Sequence, residues 1–130
     1  MINAVEALTR LREGKRRFVT GQSSTAALSR SAREALVAGQ EPFAIILGCS
    51  DSRVPAELVF DQSFGDLFVI RVAGNIAAPS QVGSVEFAAS RFGTQLVIVL
   101  GHSQCGAILA TLEELQQPAT HQSRNLRSIV

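Results

Sequence analysis

The chain has no tryptophan, no tyrosine, one methionine and only two cysteines in 130 residues. No C-x-x-C redox motif is present, and neither G-x-G-x-x-G nor a Walker pattern offers a phosphate-cradling loop. Charge of either sign is not in excess: twelve basic against eleven acidic residues leave a formal net charge of +1 at pH 7. That balance gives no reason to expect nucleic acid or an anionic membrane as partner. Long apolar runs are missing too, so no membrane span is predicted. The opening Ile2-Asn3-Ala4-Val5-Glu6-Ala7-Leu8-Thr9-Arg10 mixes charge with apolar residues and lacks the hydrophobic stretch of a signal peptide. The cytoplasm is therefore the expected location. Internal repeats and low-complexity tracts are absent, and a chain of this length with 46% hydrophobic residues can bury one core and hardly two.

What is present is a ligand set built around the two cysteines. Cys49 opens Cys49-Ser50-Asp51-Ser52-Arg53, and Cys105 lies in Gly101-His102-Ser103-Gln104-Cys105-Gly106. Isolated cysteines are often plain core thiols, but these two stand among polar groups, each just past an apolar run. Thiolates are favoured over a disulfide in the expected compartment. Cys49, His102 and Cys105 make a Cys₂His set that suits tetrahedral zinc and leaves its fourth position free, which is the mark of a catalytic rather than a structural site. His102 and Cys105 are three apart, so one turn at a helix start can aim both at one point. Cys49 must arrive from elsewhere in the fold. It follows Phe43-Ala44-Ile45-Ile46-Leu47-Gly48, while His102 follows Leu96-Val97-Ile98-Val99-Leu100-Gly101. Both runs read as parallel strands covered on both faces. If they are neighbours, their carboxyl ends bring the ligands together where open α/β sheets place their sites.

The remaining pattern predicts alternating helices and strands. Ile2, Val5, Leu8 and Leu11 recur at intervals of three and predict a first helix, with Arg10, Arg12, Glu13 and Lys15 solvated. Ser31-x-x-Glu34 resembles a capping box for a second helix that Gly39 ends. Pro55 suits the first turn of a short helix through Phe60, and a strand over 66–72 leads into a Gly74-Asn75 turn. Ser80 is expected to cap a helix whose Val82, Val85, Phe87, Ala89 and Phe92 include a buried face, with Gly93 as its stop. A last clear helix runs from Cys105 to about Leu115, and Leu126–Val130 reads as the opening of another.

The stretch from about Pro42 to about Leu112 resembles the β-class carbonic anhydrases. Cys49-Ser50-Asp51-Ser52-Arg53-Val54-Pro55 and Gly101-His102-Ser103-Gln104-Cys105-Gly106 are similar to that family's two signature segments, with Phe68-Val69-Ile70-Arg71-Val72-Ala73-Gly74-Asn75 between them. The resemblance implies an α/β fold, a parallel sheet flanked by helices, and one zinc per chain. It also implies reversible hydration of carbon dioxide to bicarbonate and a proton by a zinc-bound hydroxide. Two thiolates and a neutral imidazole cancel the metal's charge, so activity is expected to be weighted toward alkaline pH.

Asp51 and Arg53, two apart in a turn, can form a charge-assisted pair. By resemblance Asp51 accepts a hydrogen bond from the zinc-bound hydroxide and Arg53 keeps Asp51 off the metal. Gln40 matches a substrate-binding glutamine that acts across a subunit boundary, though a polar loop residue there also serves solubility. Phe68 matches an apolar wall of the carbon dioxide pocket or is plain core. Ile46 stands where regulated members carry a tryptophan of a non-catalytic bicarbonate site whose arginine Arg71 matches. The expected organisation is an N-terminal helical arm over 1–41 that wraps a partner in a homodimer or higher assembly, a zinc-binding core over 42–117, and the start of a C-terminal segment over 118–130. Family members continue further, so the chain reads as truncated, with the C-terminal strand and helices missing. Two rivals stay open: a zinc-binding dimerising or scaffold protein that has lost catalysis, and a thiol redox protein using Cys49 and Cys105.

Overall fold

Every residue of Ala44–Cys49 is buried, and that run forms β1, the middle strand of a three-stranded sheet. The computed structural model describes residues 2–24 and 29–130. β2 (Leu67–Val72) and β3 (Val97–Leu100) lie on either side of β1 in the order β2-β1-β3, all parallel. Ile45 pairs with Phe68 on one side and with Val97 on the other, which puts Cys49 opposite Val72 and Gly48 beside Leu100.

Successive β1 side chains enter opposite cores, as the two-residue period of a strand requires. Ala44 and Ile46 pack with Ala7, Leu11, Phe43, Ala56, Phe60 and Leu67. Ile45 and Leu47 pack with Ile70, Ala88 and the half-buried Phe68, Val85 and Phe92. The expectation of a strand covered on both faces holds for β1 and fails for β3. Val97 and Val99 are 44% and 63% exposed, while Ile98 and Leu100 join the first core. β3 is an edge strand, and the helix leading into it packs on β1 and β2 instead.

The first helix, α1 (Ala4–Val19), starts where the Asn3 side chain accepts from the Glu6 N–H at 2.9 Å. Its buried stripe is Ala7, Leu11 and Gly14; of the other residues in the expected pattern, Ile2 packs partly buried against the same core, Leu8 is half-buried and Val5 is 77% exposed. Small residues decide the face. A Cβ on Gly14 would lie 1.7 Å from the Phe60 carbonyl oxygen, so only glycine lets the helix come down on that loop. Arg10 is exposed, as expected, while its guanidinium lies 4.3 Å over the Phe43 ring and donates to Gln62 and Asp66. The expected arm thus contributes Ala7 and Leu11 to this chain's own core.

Caps differ from the expected ones by a residue or two. Ser29, not Ser31, caps α2 (Arg30–Ala35), accepting from the Ala32 N–H at 3.2 Å, and Glu34 pairs with Arg30. Pro55 precedes α3 (Ala56–Val59) as its cap residue. Ala78 and Pro79 open α4 (Pro79–Phe92), which places Ser80 inside the helix; Gly93 ends it in the left-handed conformation, as expected. The buried face of α4 is Val85, Ala88 and Phe92, with Val82, Phe87 and Ala89 exposed. Cys105 caps α5 (Gly106–Gln116), and the tail forms a 3₁₀ turn over Leu126–Ser128 rather than a longer helix.

Candidate metal centre

Parallel pairing puts the carboxyl ends of β1 and β3 at the same edge of the sheet. Cys49 ends β1, and His102 and Cys105 lie in the loop between β3 and α5. Their ligand atoms all fall within 4.8 Å of one another. Cys49 Sγ and Cys105 Sγ are 3.9 Å apart, close to the ~3.8 Å edge of a tetrahedron whose zinc–sulfur bonds are about 2.3 Å. Both thiols are buried.

His102 supplies the more telling observation. Its Nδ1 sits 2.9 Å from the Ser103 carbonyl oxygen, to which the N–H donates, while Nε2 is buried without a hydrogen-bond partner. A metal-binding imidazole shows this arrangement, one nitrogen oriented by a carbonyl and the other left with its lone pair. Among the described residues no other buried side-chain nitrogen or oxygen is left so. The donor set therefore fits zinc on geometry and on softness.

Electrostatics agree with deprotonated sulfur. Burial pushes the Cys49 thiol up, but the neighbouring His102 imidazole, the Asp51 and Gly74 backbone and the Cys105 thiol bring it down to about 7. The Gly74 N–H donates to Cys49 Sγ at 3.3 Å. Gly74 has φ +70°, and a Cβ there would meet Ala107 Cβ at 3.0 Å, so the turn that delivers this donor needs glycine. The Cys49 thiolate, in turn, raises the His102 pKa, helped by the Ser103 carbonyl. Both shifts express the attraction between a thiolate and an imidazolium; a metal ion between them would take the place of the proton.

Asp51 and Arg53 form the expected pair. Oδ1 accepts from the Arg53 backbone N–H and Nε, each at 2.9 Å, and Oδ2 accepts from Nη2 at 2.8 Å. Hydrogen bonds from Arg53 hold the Asp51 carboxyl well below the usual carboxylate range. The carboxylate lies outside the three-ligand cluster, turned to Arg53. Arg53 Nη2 also donates to the Gln104 carbonyl at 3.1 Å, a carbonyl presented by a left-handed residue with φ +56°.

Gln40 and Phe68 are not brought to the cluster of their own chain. Gln40 is exposed in the loop before β1, about 20 Å from its metal end by the length of a six-residue strand. It lines a cleft with Gly39, Glu41, Arg91 and Phe92. Phe68 stacks on Phe92 and Phe87, ring centroids 5.9 and 6.1 Å away, and pairs with Ile45 near the same end of β1. The two expected substrate contacts therefore gather at one place, opposite the metal edge. Ile46 is fully buried, and Arg71 donates to the carbonyls of Cys49 and Asp51.

Sequence reasoning passed over the Gly74 N–H donor and the Gln104 carbonyl. The Gly-Asn pair directly after β2 was the only signal for the first. Backbone carbonyls leave no signal at all.

A family model described as carbonic anhydrase matches residues 44–130. "Carbonic anhydrase 2" of Mycobacterium tuberculosis is 46% identical over 110 residues, which are 85% of this chain and 53% of that protein. Among solved structures, the β-carbonic anhydrase CcaA is 35% identical with a TM-score of 0.61, covering 94% of this chain and 58% of that one. One of two tetrameric β-carbonic anhydrases from Sordaria macrospora gives a TM-score of 0.62 at 28% identity, over 74% of this chain and 48% of that one. The chain spans about half the length of these relatives. With the ligand triad and its carboxylate–guanidinium neighbour on the same sheet edge, these matches show that the chain belongs to the β-carbonic anhydrase family.

Proposed function

We propose that this chain carries the zinc half of a carbonic anhydrase site, which hydrates carbon dioxide reversibly to bicarbonate and a proton. The observation that carries the reading is the buried, unpartnered His102 Nε2 beside two thiols 3.9 Å apart. Cys49, His102 and Cys105 would hold one zinc per chain. When bound, zinc would supply Lewis acidity that lowers the pKa of a water and makes it a better nucleophile, less strongly with two thiolate ligands than with neutral ones.

The protein's own contribution is orientation. Asp51 stays anionic, so it can only accept a hydrogen bond, and Arg53 fixes which way its oxygens face. A water donating to Asp51 has one proton committed and presents its lone pair elsewhere, toward the carbon of the substrate. The fork from Arg53 also occupies the carboxylate, keeping it from competing for the metal. Ser103 and Gly74 hold the imidazole and the Cys49 sulfur in place from behind.

Gln40 and Phe68 enter the proposal through a second copy of the chain. They lie together at the end of β1 away from the metal, so a homodimer, or a higher assembly, that brings one chain's Gln40 end to its partner's metal edge would complete each pocket. The exposed apolar residues Ile108, Leu109, Leu112 and Leu115 of α5 supply surface for association. We place the protein in the cytoplasm, where thiolates stay reduced; no helix among the described residues is long and apolar enough to cross a membrane.

Stopped-flow hydration of carbon dioxide with a pH indicator tests the activity, read beside zinc content. Asp51→Ala should keep its zinc and lose hydration rate. One specific observation favours a second reading, a zinc-binding dimerising scaffold with impaired catalysis: β3 and α5 leave broad apolar faces uncovered. That protein would hold zinc and give no hydration above buffer.

A further inference from the structure

The loop that carries Cys49 is fastened to the end of β2 by more than the sheet. Ser50 N–H donates to the Val72 carbonyl at 3.2 Å, and the Gly74 N–H donates to Cys49 Sγ at 3.3 Å. Both donors are backbone N–H groups, so neither bond depends on the Arg71 side chain. The third fastening is a side chain. Arg71 Nε donates to the Cys49 carbonyl at 2.9 Å and Nη2 to the Asp51 carbonyl at 2.6 Å. Its neighbour across the β1–β2 ladder is Gly48, which has no side chain to crowd the guanidinium.

A rigid guanidinium fork grips two carbonyls at a fixed separation, which a flexible ammonium cannot do. One of these is the backbone carbonyl of Cys49, a metal ligand in this reading, and the other is the backbone carbonyl of Asp51, whose carboxylate Arg53 holds. We propose that Arg71 is a positioning residue that sets Cys49 and Asp51 in fixed relation to one another, so that the sulfur faces the metal while the carboxylate stays turned to Arg53. This rests on the zinc reading of the cluster. It is a use of Arg71 distinct from anion binding, since two of its donors are already engaged with backbone oxygens.

Arg53 alone does not achieve this. Its contacts fix the Asp51 side chain relative to Arg53 and Gln104, whereas the backbone at Asp51 is tied to β2 through Arg71. Without Arg71, the loop keeps its attachment at Ser50 and at the sulfur but loses the one at Asp51. The carboxylate can then swing to the cluster.

The test uses purified chain loaded with cobalt(II), whose visible bands report coordination, and azide, a small anion that takes an open metal position. Parent protein should bind one cobalt per chain with bands that shift on azide addition. Arg71→Gln should still reach one cobalt per chain but bind it about 10- to 100-fold more weakly. Its bands should no longer respond to azide, because Asp51 occupies the open position. Loss of the azide response is not something a general loss of stability produces in protein that is folded and metal-loaded. Arg71→Lys, which keeps the charge but replaces the fixed two-nitrogen fork with a single nitrogen on a flexible stem, should show the same lost response and decides the matter if Arg71→Gln does not fold. Parent-like affinity and azide response in these variants would overturn the inference. A parent protein that takes up no cobalt would overturn the zinc reading and this inference with it.

Discussion

Arg53 donates to the Gln104 carbonyl at 3.1 Å while its fork holds the Asp51 carboxylate, and so joins the Cys49 loop to the loop bearing His102 and Cys105. The two loops follow different strands and are separated by some fifty residues of chain. One guanidinium thus orients the acceptor and ties together the two loops that carry the ligands.

Arg53→Lys keeps the charge but cannot reproduce the fork. Zinc should remain at about one per chain, while hydration of carbon dioxide falls by at least about 10-fold, the scale seen when an orienting partner of a metal site is lost. An unchanged rate at saturating substrate would reduce the pair to turn structure.

Cys49→Ala, His102→Ala and Cys105→Ala should each lose most bound zinc, because two protein ligands rarely retain it against solvent. Metal analysis after dialysis against a weak chelator measures this. Full retention in Cys105→Ala would remove the third ligand from the assignment.

Gly14→Ala should destabilise the fold although helix propensity favours alanine by about 1 kcal/mol. The added Cβ would lie 1.7 Å from the Phe60 carbonyl oxygen, and forcing α1 away from its core costs about 1–3 kcal/mol or more, so the overlap wins. Gly83→Ala in α4 has nothing within 4 Å of the new Cβ and should be neutral or stabilising. Urea unfolding midpoints of the two variants should move in opposite directions or at least differ in that order.

Acid should weaken the attachment of α1 through Asp61. Arg17, with the Ser24 N–H, lowers the Asp61 pKa against burial. A depressed folded-state pKa means that this stabilisation is present above the unfolded carboxyl value of about 3.9 and is lost as pH falls through the folded value. Asp61→Asn tolerates the left-handed backbone at this position (φ +48°) and removes the charge. Its stability should change less between about pH 5 and pH 2 than that of the parent; parallel curves would show the pair to contribute nothing.

Association is checked by light scattering at micromolar concentration, with dimer or larger mass expected. If Gln40 serves its partner's metal edge, Gln40→Ala and Asp51→Ala proteins should each be inactive alone and recover activity when mixed, because one of the two shared sites is then intact. A fully active monomer would show the shared pocket wrong.

The sequence by itself determined the ligand types and the kind of scaffold. Cys49, His102 and Cys105 are strong ligand types, the Asp51–Arg53 pair is local, and β1 is a continuous apolar run while β2 is one interrupted only by Arg71, so residue type and short spacing carried all of them. Gly93 as a helix stop was legible for the same reason. The strand order was not, because nothing in the apolar runs says which neighbours which, and β3 proved to be an edge with Val97 and Val99 in the open. Tertiary structure also chose the buried face of α1. Large apolar residues dominate a hydrophobic pattern, whereas close approach to Phe60 requires the glycine at position 14, and that face also buries the small Ala7. Likewise it gathered Gln40 and Phe68 at the end of β1 away from the metal and turned Arg71 and Arg53 onto the carbonyls of Cys49, Asp51 and Gln104. Every residue has a carbonyl, so which ones receive a hydrogen bond is decided only when the chain folds and brings a donor to them.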